Sequence, residues 1–264
     1  MGIKDRRTKI LLSLFLLTGV DFSPVAFSDQ IQQAFDLPMN QKTRGTLSGL
    51  LKEGMIAKAD GQTAPLPPDA PALMTTSAVD PSHYHLTESG FADLCFQFPF
   101  FRFLKDKWDG QWRIISYEIP ESKREMRDRL RREMQGWGLG PWHRSFWLTP
   151  HPVIERLKNL IFGKEEEKYI QAFNASHAFG DREVLIEKVW ETKKLDKQYR
   201  TLFKTWHDTL SEAAEKTDKF RKVVDGYVNL LKIDPGLPAE LVGENYVGFE
   251  AYNIFKEIRT ILLG

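Results

Sequence analysis

Residues 108–152 read WDGQWRIISYEIPESKREMRDRLRREMQGWGLGPWHRSFWLTPHP, and this stretch decides the fold class. An apolar segment at 113–119, closed by Pro120, predicts a β-strand. A glycine-rich turn and an aromatic segment that ends at Pro150 predict another strand further along. Between them, four apolar side chains recur at helical spacing: Met126, Leu130, Met134 and Trp137. The stretch therefore predicts a strand, a helix and a strand in that order.

The short sequence words of this stretch resemble one known family. They are W-D-G-x-W-R, Y-x-I-P-E, RDRLRR, G-x-G-P and W-L-T-P-H. Together they closely resemble the central domain of the PaaX family of bacterial transcriptional repressors. The resemblance implies a ferredoxin-like α/β domain, which we expect at residues 108–180. We also expect a second helix at 153–162 and a further strand at 169–173, where the apolar pattern continues.

Three helices are predicted ahead of this domain. The apolar run ILLSLFLLTGV at 10–20 predicts a buried first helix, 22–35 predicts a second, and 40–53 predicts a third that ends at Gly54. The basic residues before the apolar run also imitate a secretory signal. That run is too short to span a bilayer, and no clean small-x-small cleavage site follows it. We therefore favour the buried helix and expect no membrane segment.

A hairpin follows these helices, with short strands predicted at 55–59 and 83–87. Three helices followed by a hairpin is the order of a winged helix-turn-helix, whose third helix enters the major groove of DNA. We expect this N-terminal winged helix-turn-helix domain at residues 1–90. The segment between the two strands, 61–82, is rich in proline and is predicted to be a flexible wing insert.

The third helix carries the residues that we expect to contact DNA. Leucines form its inward stripe and leave a polar outer face, where Asn or Gln can pair with adenine and Arg with guanine. The segment TRGTLSGLLKEGMI also resembles the recognition helix of the PaaX family. The alternative is that this polar face is simply solvated. The predicted contacts to a double-stranded DNA operator are Gln41, Lys42, Arg44, Gly45, Ser48 and Lys52.

The arginine-rich stretch predicts a second binding site. Residues 113–144 contain eight basic and five acidic residues, so a mixed helix face of ion pairs is one interpretation. The other is a pocket for an anionic effector, because guanidinium groups suit phosphates and a tryptophan can stack on an adenine ring. The predicted residues of this pocket are Arg127, Arg131, Trp142 and Trp147. The resemblance implies that the effector is an acyl-CoA thioester, typically phenylacetyl-CoA.

The resemblance also raises an enzymatic alternative, because the family's central domain is similar to the small CRISPR-associated endonuclease that takes part in spacer acquisition. That nuclease family keeps a catalytic aspartate at the end of its first strand, where this chain has Tyr117 and Glu118. One carboxylate without a second acid is a poor Mg²⁺ site. We therefore predict no enzyme, no catalytic residues, no metal and no cofactor. A metal-dependent nuclease and a DNA-binding adaptor without a ligand stay open as alternatives.

The remainder of the chain is predicted to be helical. A linker helix is expected at 91–107 and a C-terminal helical domain at 181–264, with helices at 183–210, 219–232 and 248–262. The element IDPGLPAEL between the last two helices also resembles the PaaX family. The predicted fold is therefore α+β: an N-terminal winged helix-turn-helix, a central ferredoxin-like domain and a C-terminal helical domain.

Composition narrows the functional classes. The chain has 37 Lys and Arg against 36 Asp and Glu, so any contact with DNA must come from local patches. Cys95 is the single cysteine, which excludes an intrachain disulfide and indicates a reducing, cytoplasmic compartment. One winged helix reads one half-site, so we expect a homodimer, formed by the central and C-terminal domains, on a near-palindromic operator. The sequence as a whole predicts a sequence-specific transcriptional repressor.

Overall fold

The structure, a computed structural model, describes residues 3–59 and 83–263. The predicted wing insert at 61–82 therefore lies outside the described residues. The chain forms two compact units, of which the first spans Ile3–Phe91 and the second Ala92–Gly264. Each unit combines helices with its own antiparallel sheet, so the predicted α+β class is confirmed.

The first unit begins with a buried helix, α1 (Arg6–Thr18). The Asp5 side chain caps this helix by accepting a hydrogen bond from the Thr8 N–H at 2.8 Å. The consecutive residues 8–16 are all buried. The buried polar side chains among them have partners: Lys9 forms an ion pair with Asp36 at 2.6 Å, and the Ser13 hydroxyl donates to the Ile10 carbonyl at 2.8 Å. The prediction of a buried first helix is confirmed. Within the described residues, no helix combines the length and the apolarity that crossing a membrane requires.

The prediction of a second helix over 22–35 is wrong in its first half. The chain forms the short strand β1 (Val25–Ala26) there, and only then the helix α2 (Asp29–Ala34). Pro24 has no N–H to donate and disfavours a helical conformation in the residue before it. The Ser28 side chain then caps the first turn of α2, so the helix begins after it.

The helix α3 (Gln41–Lys52) and the strands β2 (Ile56–Lys58) and β3 (His83–Leu86) complete the first unit. The three strands form an antiparallel sheet in the order β1-β3-β2, with Val25 paired to Tyr84. This pairing joins residues that are far apart in the sequence, so no local pattern reveals it. The order of elements is helix, strand, helix, helix, strand, strand.

The helix α4 (Glu88–Leu94) spans the boundary between the two units. The segment predicted as one linker helix, 91–107, is divided in the structure. After α4 come a short 3₁₀ helix at Pro99–Phe101 and the helix α5 (Arg102–Lys105). Proline cannot donate the backbone hydrogen bond of a helix interior, but it fits the first turn of a helix. Pro99 therefore starts a new turn and does not continue α4.

The second unit contains a four-stranded antiparallel sheet with two helices on one face. Its strands lie in the order β5-β6-β4-β7, and each is antiparallel to its neighbours. This strand, helix, strand, strand, helix, strand arrangement is ferredoxin-like, and the predicted central fold is confirmed. The elements are β4 (Trp112–Tyr117), α6 (Arg124–Gly136), β5 (Gly140–His143), β6 (Phe146–Thr149), α7 (Ile154–Ile161) and β7 (Ile170–Ala175).

The two faces of the four-stranded sheet are buried against different partners. On one face Ile115, Tyr117 and Trp147 pack with Leu130 of α6 and Leu157 of α7. On the opposite face a second cluster joins the sheet to later parts of the chain. Its buried members are Trp112, Leu148, Ile186, Val189, Leu237 and Leu241.

The C-terminal part is helical, as predicted. The predicted helix at 183–210 is divided by Glu191, whose φ of 50° lies in the left-handed region that an α-helix does not contain. Trp206, Tyr227 and Phe255 form the aromatic core, with ring centroids 5.5 Å and 5.0 Å apart along the chain of contacts. The helices are α8 (Arg182–Trp190), α9 (Thr192–Ser211), α10 (Lys216–Leu231), α11 (Ala239–Val242) and α12 (Val247–Leu263).

Candidate functional site

The helix α3 is held in place by its cap and by three buried side chains. The Asn40 side chain accepts a hydrogen bond from the Thr43 N–H at 3.0 Å, and the Thr43 hydroxyl donates to the Pro38 carbonyl at 2.7 Å. Thr43, Leu47 and Leu50 form the buried side of the helix. These contacts fix the start and the rotation of α3, and they determine which of its residues point outward.

All six residues predicted to contact DNA are exposed on α3: Gln41, Lys42, Arg44, Gly45, Ser48 and Lys52. Five of them follow a spacing of three, four and seven residues and share one side of the helix, whereas Lys42 lies beside that side. The helix contains three basic residues and no acidic one. Among the described residues, no carboxylate forms an ion pair with any of these three cations.

The outer side of α3 also contains two glycines that the described packing does not require. A Cβ atom added at Gly45 or at Gly49 would meet nothing within 4 Å. A glycine inside a helix costs about 1 kcal/mol relative to alanine. The described residues therefore leave room for a side chain at both positions.

A cavity of about 530 Å³ lies on the second unit, between α6 and the β5–β6 hairpin. Its lining contains three arginines and one carboxylate, which leaves a formal surplus of two positive charges when His143 is neutral. A concave surface with this surplus attracts anions. The lining residues are Asp128, Arg131, Arg132, Gln135, Pro141, His143, Arg144 and Trp147.

The hydrogen bonds of this cavity leave two of its three arginines available to a ligand. The Tyr117 hydroxyl accepts hydrogen bonds from Arg131 Nε at 2.6 Å and from Trp147 Nε1 at 3.2 Å, so it orients both side chains. Arg132 and Arg144 are exposed, and within the described part of the chain neither has a carboxylate partner. Guanidinium groups in this state can form paired hydrogen bonds with phosphate or carboxylate oxygens.

Two of the four predicted effector residues, Arg131 and Trp147, line this cavity, and the other two do not. Arg127 forms an ion pair with Glu121 at 2.6 Å, and the hydrogen bond from Arg127 lowers the pKa of the Glu121 carboxyl. Trp142 lies on β5 with 39% of its surface exposed, outside the lining. Trp147 is almost fully buried, so little of its ring surface is available to a ligand.

Sequence reasoning missed part of the cavity. Arg132 and Gln135 follow Arg131 on the same helix, and their helical spacing was a signal that could have included them. His143 ends β5, and Arg144 lies in the turn of the β5–β6 hairpin. Only the pairing of β6 with β4 brings that turn to α6, so no local pattern pointed to these two residues.

Tyr117 and Glu118, where the nuclease alternative would place its catalytic acid, do not form a metal site. Glu118 is exposed, and its backbone N–H donates to the Tyr169 carbonyl at 2.9 Å, one residue beyond the paired ends of β4 and β7. Tyr117 is buried and uses its hydroxyl to hold the two side chains described above. In residues 3–59 and 83–263, no group of three or more His, Cys, Asp or Glu side chains could hold a metal ion.

A buried polar cluster in the second unit has a structural role. The Asp234 carboxylate accepts hydrogen bonds from the hydroxyls of Tyr199 at 2.6 Å and Tyr246 at 3.1 Å. Burial raises the pKa of Asp234, although these hydrogen bonds act against the shift. Burial also lowers the pKa of His151 to about 3, so the neutral ring donates from Nε2 to the Pro235 carbonyl at 2.7 Å. The cluster ties the end of the central sheet to the IDPG turn.

Two family models match the second unit. Residues 105–186 match the family described as the PaaX protein central Cas2-like domain, and residues 190–263 match the PaaX-like protein C-terminal domain. No curated protein matches the chain. Among solved structures, an uncharacterized protein from Mycobacterium tuberculosis, Rv0674, is similar at 18% identity, with a TM-score of 0.46 and 97% of each chain covered.

Proposed function

We propose that this chain, which belongs to the PaaX-like family and contains that family's Cas2-like central domain, is a transcriptional repressor that binds DNA through its N-terminal unit. The matched domains cover the second unit, so the argument for DNA binding depends on the first. Its three helices followed by two paired strands, with β1 added after the first helix, support a winged helix-turn-helix, in which the third helix enters the major groove.

The observation that carries this proposal is the outer side of α3. It presents Arg44, Gln41 and Ser48, which can bond to base edges, and Lys52, which can bond to phosphate. The absence of acidic residues from this helix favours a polyanionic partner. Gly45 supports the same conclusion, because a bare backbone at this position permits close approach to a groove.

We further propose that an anionic effector occupies the cavity beside α6 and releases the protein from DNA. The resemblance to the PaaX family implies an acyl-CoA thioester, and the arginines of the cavity suit the phosphates of such a molecule. Binding of the effector must favour a conformation with lower affinity for DNA, because only a difference in affinity can shift the equilibrium. A repressor acts where bacterial DNA lies, so we expect a cytoplasmic protein.

Duplexes selected from a random pool by the full-length protein test the first part of this proposal. The selected duplex should bind at least about a thousandfold more tightly than a scrambled one in gel-shift titrations at constant salt. Equal affinity for the two duplexes would refute sequence-specific binding.

Adding phenylacetyl-CoA to the preformed complex tests the second part. Release of the duplex is the expected result, with free coenzyme A as the control for the acyl group. An unchanged complex at saturating phenylacetyl-CoA would instead support the DNA-binding adaptor without a ligand.

A further inference from the structure

The two edges of the four-stranded sheet are protected to different degrees. The edge strand β5 contains Pro141 and a β-bulge between Pro141 and His143. The helix α8 also lies against it, because a Cβ atom on Gly140 would be 2.3 Å from a Val189 methyl group. Proline, bulges and a covering helix are the devices that prevent an edge strand from pairing with another chain.

Within residues 3–59 and 83–263, the opposite edge strand, β7, has none of these devices. Its sequence is Ile-Gln-Ala-Phe-Asn-Ala, without a charged residue or a proline. It pairs with β4 in an unbroken register from Ile170 to Ala175. Four of its six residues are exposed, and the Phe173 side chain keeps 52% of its surface in solvent. Such a strand is a template for pairing with a second strand.

The register with β4 shows which backbone groups of β7 are available. The Glu118 N–H donates to the Tyr169 carbonyl, so the bonded positions opposite β4 continue at every second residue, at 171, 173 and 175. The N–H and C=O groups of Ile170, Ala172 and Asn174 therefore point away from β4. Within the described residues, no other strand of this sheet lies beyond β7 to receive them.

We propose that β7 pairs antiparallel with β7 of a second copy of this chain, about a two-fold axis at Ala172. In this register Ala172 lies opposite Ala172 of the other copy, and Ile170 lies opposite Asn174. All the outward backbone groups at these positions then find partners. The strand has no charges, so two-fold pairing brings no like charges together.

The side chains fit the same two-fold arrangement. Phe173 lies opposite Gln171 of the other copy and diagonal to its Phe173, at a distance that aromatic side chains can bridge. The pairing joins the two four-stranded sheets into one continuous sheet. Isologous contacts of this kind close as a dimer and do not form filaments.

Cysteine crosslinking on the full-length chain tests the register. In an Ala172→Cys variant the two thiols lie across the axis, with Cα atoms about 5.5 Å apart. In the matched control Ala175→Cys they lie about 20 Å apart, since each copy contributes three residues at about 3.4 Å. Cys95 is buried, so only the new thiols should form a crosslink. Mild oxidation should give a covalent dimer with Ala172→Cys only.

Light scattering across a micromolar concentration series tests the interface without crosslinking. The wild-type protein should be a dimer, and Phe173→Glu should raise its dissociation constant about tenfold or more, because it places two carboxylates beside the axis. The matched control Phe162→Glu changes another exposed phenylalanine, 79% accessible after α7, and should leave the dimer unchanged.

Three results would overturn the proposal: a monomeric wild type, a dimer unaffected by Phe173→Glu, or equal crosslinking at 172 and 175. Pairing of β7 with a peptide from another protein would appear as a monomeric wild type and counts among these. Phe173→Glu should still bind a duplex that contains a single half-site. This measurement distinguishes failure of the β7 pairing from failure of the proposed DNA binding. If the wild type does not bind the half-site duplex, the proposed DNA binding is refuted. The crosslinking result does not depend on DNA binding and would still test the pairing of β7.

Discussion

Two helices of this protein are rich in basic residues, and they use them differently. On α6 the cations Arg124, Arg127 and Arg129 have carboxylate partners in Asp128, Glu121 and Glu166. On α3 the described cations have no such partner, and the helix contains no acid. A paired arginine is already satisfied within the protein, whereas an unpaired one on a shaped surface is available to an external anion. The lack of a carboxylate partner therefore identifies the candidate binding residues among the basic residues better than the local density of positive charge does.

The largest expected effect is on DNA binding by α3. Arg44→Ala should weaken binding to the selected operator by about 1 to 3 kcal/mol and relax the base preference at one position, because a base contact is lost. Gel-shift titrations against the selected duplex and its single-base variants measure both effects. The matched control is Lys197→Ala, which removes an exposed cation from α9. If Arg44→Ala binds as the wild type does, α3 is not the helix that reads DNA.

Lys52→Ala should have a different signature on the same helix. We expect it to weaken binding to every duplex by a similar factor and to reduce the slope of log affinity against log salt by about 1, because a phosphate contact is lost. Titrations at several salt concentrations provide this slope. A change in base preference without a change in slope would assign Lys52 to the bases and would exchange the roles proposed for the two residues.

The next largest effect should be on the affinity for the effector in the cavity beside α6. Arg132→Ala and Arg144→Ala should each weaken binding of phenylacetyl-CoA by about 1.5 kcal/mol, close to the value of a hydrogen bond to a charged group. Isothermal titration calorimetry measures the affinity. Arg124→Ala is the control, because Arg124 lies on the same helix, pairs with Asp128 at 3.6 Å and does not line the cavity. Equal losses in all three variants would indicate general electrostatics and not a site.

Substitution of Gly45 on α3 should increase the stability of the protein and decrease its affinity for DNA. Gly45→Ala should raise the free energy of unfolding by about 0.5 to 1 kcal/mol, because alanine favours the helix and its Cβ meets nothing. It should also weaken DNA binding, because the added methyl group lies where the groove approaches. Urea denaturation and gel-shift titration measure the two effects. A stabilised variant with unchanged affinity for DNA would show that the groove does not approach Gly45.

The smallest effect should come from the paired arginines of α6. Arg127→Ala should leave the free energy of unfolding almost unchanged, because an ion pair whose carboxylate partner is exposed contributes little. It should also leave the affinity for phenylacetyl-CoA unchanged, since Arg127 does not line the cavity. A large loss of affinity would restore Arg127 to the effector site and would remove the distinction between paired and unpaired arginines.

The sequence by itself determined the elements that depend on neighbouring residues. Helix α3 follows from its leucine spacing and its Asn40 cap, and the central strand, helix and hairpin follow from the apolar pattern closed by Pro120 and Pro150. The exposed residues of α3 were predicted correctly for the same reason: the buried stripe of a helix fixes its opposite side.

Only the tertiary structure decided the features that depend on distant pairings. Val25 and Ala26 form a strand because β3 lies beside them, although their local pattern indicated a helix. Arg144 reaches the cavity because β6 pairs with β4, whereas Arg127 forms its ion pair with Glu121 outside the cavity. The free edge of β7 is visible only once the strand order is known. Backbone hydrogen bonds between strands join residues whose separation in sequence is arbitrary, so a local pattern contains no record of them.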